Sequence, residues 1–166
     1  MKHLLIVSFI VLLIPNLCVA NEPRLNLPHD QEAFFKEHQH VTKMRLKLDK
    51  NTDAISPAIG QLKNLHTIAL IINYSVEVRG GVSIPPERQD VTIPLELLNL
   101  PNLRTLEVNG ALNLRLPPKT TTSQIQSHIE QVIATRWAKN SIPFLDILPL
   151  HQLKLITGVS AHNRGS

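Results

Sequence analysis

The 166-residue chain contains a single cysteine, Cys18, and few aromatic residues: one Trp, one Tyr and four Phe. So few rings exclude the stacking platforms on which single-stranded nucleic acids lie. Neither sign of charge dominates. Lys+Arg 17 against Asp+Glu 13 gives +4. The excess is scattered, without the basic block that marks a nucleic-acid or membrane partner. Catalytic signatures are missing as well. There is no H-E-x-x-H, no G-x-S-x-G, no phosphate loop and no cysteine pair. These absences read as a non-enzyme without cofactor, metal or nucleic-acid partner. What the chain does have is aliphatic. Hydrophobic residues reach 43%, and Leu alone takes 26 positions. That is enough for one domain with an aliphatic core.

The first 20 residues read as an address. Lys2 and His3 precede an apolar run, Leu4 to Ile14, which Pro15 and Asn16 end. Cys18-Val19-Ala20 then places small residues three and one before a cut after Ala20. This is the layout of a cleaved secretory signal peptide, residues 1–20. The run is shorter than the ~20 residues a membrane helix needs. The expectation is a secreted or periplasmic protein with no stable membrane span after cleavage. The mature chain then keeps no thiol and forms no disulfide, which points to a bacterial rather than a eukaryotic exported domain.

The leucines recur at fixed spacing. Val41-x-x-Met44-x-Leu46, Leu65-x-x-Ile68-x-Leu70, Leu103-x-x-Leu106-x-Val108 and Leu150-x-x-Leu153-x-Leu155 share apolar residues at relative positions 1, 4 and 6. The flanks recur too. Ile55-Ser56-Pro57 to Asn64-Leu65 and Ile93-Pro94 to Asn102-Leu103 both read I-(x)-P-x-x-(I/L)-x-x-L-x-N-L, and residues 142–150 echo them weakly. Positions 4 and 6 fall on one face of a strand. One such unit cannot bury its own leucines, whereas stacked units share a core.

These segments resemble the leucine-rich repeat family, most clearly at residues 58–73 and 93–110. The resemblance implies an α/β fold: a short horseshoe solenoid of about four repeats with a parallel concave sheet. It spans residues 41–157, after an N-terminal extension and capping helix at 21–40 and before a tail at 158–166. The starts at 41, 65, 103 and 150 imply inserted material near 74–90 and 119–140. The first insert reads as a β-hairpin turning at Gly80-Gly81. The second reads as a helix over 122–138, from Thr121 and Gln124 as a start signal and Ile125, Ile129, Val132, Ile133 and Trp137 at helical spacing. Asp30 reads as the cap of a helix over 31–38 carrying Phe34 and Phe35.

In such a sheet positions 3, 5 and 7 face the concave side. The partner-binding candidates are therefore Lys43, Arg45 and Lys47, then Thr67, Ala69 and Ile71, then Thr105, Glu107 and Asn109, with Lys154 from the last repeat. A charged end beside an apolar centre suits a protein or peptide partner. An envelope glycan or anionic surface, bound through Lys43, Arg45, Lys47 and Lys154, is the alternative, and a host-directed effector role is a further one by family analogy. The hairpin would wall the groove. His38 and His40, with His29 and Asp30 nearby, offer two ligands on one strand face, but no motif fixes a third. Asn73-Tyr74-Ser75 is a glycosylation sequon. Asn73 also fills the slot of the family's buried asparagine ladder, and that structural role is the one expected here. Asp49 and Ala111 occupy its equivalents in the neighbouring units.

Overall fold

The computed structural model describes residues 24–73, 77–84, 87–135 and 142–156. The segment read as a signal peptide, Trp137 and the tail expected at 158–166 lie outside them. Six strands form one sheet in chain order: β1 (Arg24–Asn26), β2 (Lys43–Leu48), β3 (Thr67–Ile72), β7 (Thr105–Asn109), β9 (Gln131–Thr135) and β10 (Gln152–Ile156). Every pair in it is parallel. The alternation of apolar residues dictates these strands. Met44, Leu46, Ile68, Leu70, Leu106, Val108, Val132 and Ala134 share the inner face and are buried. Successive units are joined by one repeated step. The carbonyl of Thr42 accepts from the N–H groups of His66 and Thr67, that of His66 from Arg104 and Thr105, and that of Arg104 from Glu130 and Gln131.

Between sheet strands the chain crosses to the far side of the core. There β6 (Gln89–Thr92) and β8 (Leu112–Arg115) pair in parallel, and Ala54 bridges to Thr92. It then returns through short turns. One is a 3-10 turn at Pro57–Gln61, where the Ser56 Oγ accepts from the Ala58 N–H, and another is α2 (Leu95–Leu98). Ile55, Val91, Ile93, Leu112 and Leu114 bury their side chains from that side. They join Ile59, Leu62, Leu65, Leu97, Leu100 and Leu103 in one continuous cluster with the sheet's inner face. Each buried Leu or Ile stabilises by about 1.5–3 kcal/mol relative to exposure.

The first end is covered by α1 (Gln31–Glu37). The Asp30 carboxylate accepts from the Ala33 N–H at 3.1 Å, and Phe35 is fully buried. Gln31 ties this helix to the next turn, donating to the Ala54 carbonyl and accepting from the Ser56 N–H. Separately, β4 (Glu77–Arg79) and β5 (Val82–Ile84) form the expected hairpin, an antiparallel pair belonging to neither of the other two sheets. Gly80 and Gly81 turn it at φ of 58° and 80°, the two positive values a tight hairpin turn requires.

The sequence expectation of a helix over 122–138 is corrected. A single 3-10 turn forms at Thr122–Gln124, followed by extended chain and then β9. The start signal is present: the Gln124 side chain accepts from the Thr121 N–H at 2.8 Å. Propagation fails because Ile129, Val132 and Ile133 are β-branched and lie beside an open strand. Stacking on β7 gives Val132 and Ile133 a place in the strand ladder, while one isolated helix would have to cover its nucleation cost alone. Ile129-x-x-Val132-x-Ala134 is thus a further copy of the 1-4-6 pattern, and all three side chains are buried. The 47-residue gap between 103 and 150 is divided by it at 129. The extension at 24–26 is a sheet strand too, with Leu25 in register with Leu46.

Candidate functional site

The outward positions of the main sheet line up in three rows. One runs Lys43, Thr67, Thr105, Gln131, Gln152. The second runs Arg24, Arg45, Ala69, Glu107, Ile133, Lys154. The third begins Asn26, Lys47, Ile71, Asn109. Parallel register makes the rows, because each strand repeats the same alternation at the same height. The nine candidates on β2, β3 and β7 therefore share one face.

Their accessibility differs. Lys43 and Lys47 are exposed, while Arg45, Thr67, Ile71, Thr105, Glu107 and Asn109 are half-buried. Ala69 is 1% exposed. Its methyl group lies between the longer side chains of Arg45 and Glu107, its row neighbours, and is too short to reach a partner. Lys154 is exposed but stands apart. With β9 intervening, four strand spacings of about 4.8 Å separate it from Arg45. The sequence reading missed Gln131 and Ile133, which fill the place between Glu107 and Lys154, and Arg24, which extends the basic end. The same 1-4-6 pattern at Ile129 would have found the first two.

The face is thus zoned. Arg24, Lys43, Arg45 and Lys47 occupy β1 and β2. Ile71 on β3 and Ile133 on β9 are the half-buried apolar side chains beyond them. At the carboxyl ends of β1, β2 and β3 the sheet borders an open cleft of about 460 Å³. It is lined by the Lys47, Asp49 and Lys50 edge of β2 together with Asn26 and Asn73.

Several other candidates take structural places. His38 ends α1 rather than lying on a strand. Its Nδ1 is 2.7 Å from the Phe34 carbonyl, and its ring packs on Phe34 at 4.4 Å. His40 is exposed, and among the described residues no cluster of three metal-ligating side chains occurs. Asn73 and Asp49 are also exposed, so the expected buried asparagine ladder is not formed at that slot. Side-chain bonds between units are made instead at the surface, by the asparagines preceding the first leucine of a unit. Asn64 donates to the Gln39 carbonyl at 3.3 Å, and Asn102 donates to the Lys63 carbonyl at 2.8 Å. Asn99 does more: it donates to the Gln124 carbonyl and accepts from the Gln126 N–H. It thereby fixes the extended segment that replaces the expected helix.

No match is found among family models, curated proteins or solved structures. The reading of this face therefore rests on its own residues. Among the described residues no helix is long and apolar enough to cross a membrane.

Proposed function

We propose that the protein is an exported, non-catalytic module of the leucine-rich repeat type whose outward sheet face binds a protein or peptide. The repeat assignment is supported by the in-register recurrence of the 1-4-6 positions on successive neighbouring strands, including the copy at Ile129. The binding assignment is carried by one observation. A face of in-register strands sets a cluster of four cations on β1 and β2 beside half-buried Ile71 on β3, with half-buried Ile133 two strands further on. An apolar centre with a charged margin lets a partner desolvate the middle while the margin sets orientation.

Ile71→Asp tests this reading. Proximity labelling in the native host identifies neighbours of the wild-type protein, and direct binding is then measured with purified components. Loss of binding with unchanged circular dichroism is expected. Binding that survives Ile71→Asp at full strength removes the face from the proposal.

The gathering of Arg24, Lys43, Arg45 and Lys47 on two adjacent strands favours one second reading, an anionic glycan or surface bound at that end. Salt separates the two. Contacts dominated by exposed charges weaken steeply as ionic strength rises, and an apolar-centred contact does not.

A further inference from the structure

Among the described residues one polar side chain, that of Thr135, is buried. It sits at the carboxyl end of β9, just past the register pair of Val108 and Ala134. Its hydroxyl is aimed at Gly110, the residue that follows β7. The Gly110 N–H donates to the Thr135 Oγ1 at 3.4 Å, and the hydroxyl donates to the Gly110 carbonyl at 3.5 Å. β3 flanks β7 on its other side. There a Cβ on Gly110 would meet the Ile72 carbonyl oxygen and Cγ2. Gly110 is thus wedged between two neighbouring strands. The dipeptide it belongs to has its own chemistry. A backbone nitrogen can attack the side-chain carbonyl carbon of the asparagine before it. A following Leu side chain obstructs that approach, and glycine does not. Asn109-Gly110 is the only Asn-Gly pair in the sequence, whereas Asn26, Asn64, Asn99, Asn102 and Asn113 are each followed by Leu. The side-chain amides of Asn64, Asn99, Asn102 and Asn113 are also held by hydrogen bonds. Among the described residues none holds that of Asn109, which is half-buried on the outer face.

We propose that Asn109 is a site of spontaneous deamidation, kept latent by the clamp of Thr135 on Gly110. In the reaction the Gly110 nitrogen gives its proton to a solvent base and bonds to the Asn109 Cγ. The Cγ–Nδ2 bond breaks and ammonia leaves. Water then opens the cyclic imide at either carbonyl, giving aspartate or its β-linked isomer, isoaspartate. The balance needs water alone, with no oxidant or reductant. The clamp opposes the first step in two ways. The Thr135 oxygen accepts the Gly110 N–H, which favours the protonated nitrogen. The nitrogen also reaches Cγ only if the peptide rotates, and rotation drives Gly110 against Ile72 or Thr135. Removing the glycine is not open to this fold, because a φ of 103° and the approach of Ile72 both require it. Local opening of β9 from β7 releases the clamp and lets the reaction run. Either product sets a carboxylate in the row of Lys47 and Ile71. Isoaspartate also adds one carbon to the backbone, so Gly110 no longer fits between its neighbours. The site stands whatever the outer face binds.

The purified chain is held at mildly alkaline pH, digested in acid and mapped by mass spectrometry, which gives the converted fraction of Asn109 with time. The native chain is expected to convert more slowly than the same chain in urea. Thr135→Val keeps the shape and the β-branch, so the fold is retained, as circular dichroism verifies. It should convert roughly two- to tenfold faster than wild type, the effect of one lost hydrogen bond. Thr135→Ser keeps the hydroxyl and should stay near the wild-type rate. The proposal is overturned by an Asn109 that stays intact in urea or converts equally fast in the native chain. It is equally overturned if Thr135→Val is no faster than wild type, or if Thr135→Ser is as fast as Thr135→Val.

Discussion

The Asn102 side-chain amide donates to the backbone carbonyl of Lys63 at 2.8 Å, linking two turns of chain 39 residues apart. Asn64 repeats the contact to Gln39. These bonds tie consecutive units outside the sheet, where the strand ladder does not reach. Replacing Asn102 with Ala is expected to cost about 0.5–1.5 kcal/mol, the net worth of one such bond. Asn99→Ala should cost more, since Asn99 serves a donor and an acceptor of the chain at 124–126. Urea denaturation checks this through a lower midpoint at unchanged slope. Equal losses for the two variants would contradict it.

Gly110 sits at φ +103°, where a Cβ would meet the Ile72 carbonyl oxygen and Cγ2 within 2.6 Å. Both the backbone conformation and the space therefore require glycine. Gly110→Ala should destabilise by roughly 1–3 kcal/mol from the strained backbone alone, with the clash in addition. Gly81 also has positive φ, but no heavy atom lies within 4 Å of its Cβ position. Gly81→Ala should thus be the milder change. Thermal melts of the two variants give the ranking directly.

β9 is a central strand, with β7 and β10 on either side. Proline in such a strand removes a ladder bond and is tolerated only at edges. Ile133→Pro is expected to unfold the last two units, whereas Ile133→Thr keeps the β-branch and should fold. Amide hydrogen exchange at residues 131–135 follows the outcome. Protection of these amides that persists in Ile133→Pro would argue against the strand.

Asp90 accepts a hydrogen bond from the Asn113 side chain, which is the main reason its carboxyl titrates below the ordinary carboxylate range. Partial desolvation opposes this, and Arg115, at 2.6 Å, reinforces it. A carboxylate with a lowered folded pKa adds stability above its unfolded pKa and loses it as pH falls through the folded value. The contribution is therefore present at neutral pH and disappears in acid. Asn113→Ala should move the Asp90 titration back up. NMR titration of the Asp90 carboxyl measures this, and an unmoved midpoint would refute the assignment.

The strands at Met44, Ile68 and Leu106 were legible because their apolar residues alternate and their flanks repeat. The unit at Ile129 was harder. Ile129, Val132 and Ile133 satisfy both helical spacing and the 1-4-6 pattern, so neighbouring strands decide between them. The short β1 carries one apolar residue, Leu25, too few to show a period. β6 and β8 pair with each other at a distance, Gln89 with Leu112, and nothing local in Gln89–Thr92 announces that partner. On the candidate face, the outward identities followed from alternation alone. The burial of Ala69 and the separation of Lys154 did not, since both depend on what lies on the adjacent strand.

The strands of the large sheet stack in the order in which they occur along the chain, though other elements intervene between β3, β7 and β9. Thr67 pairs with Thr105 across the longest of these connections, and loop-closure cost grows only slowly with length, so each added strand costs a similar amount. Order can therefore spread from one strand to the next like a zip, and it can also be lost that way. Among the described residues the unit at β10 has a neighbour on one side alone, so it should open first under heat or force. The α1 end, held by Phe35 and by the two bonds of Gln31, should open last.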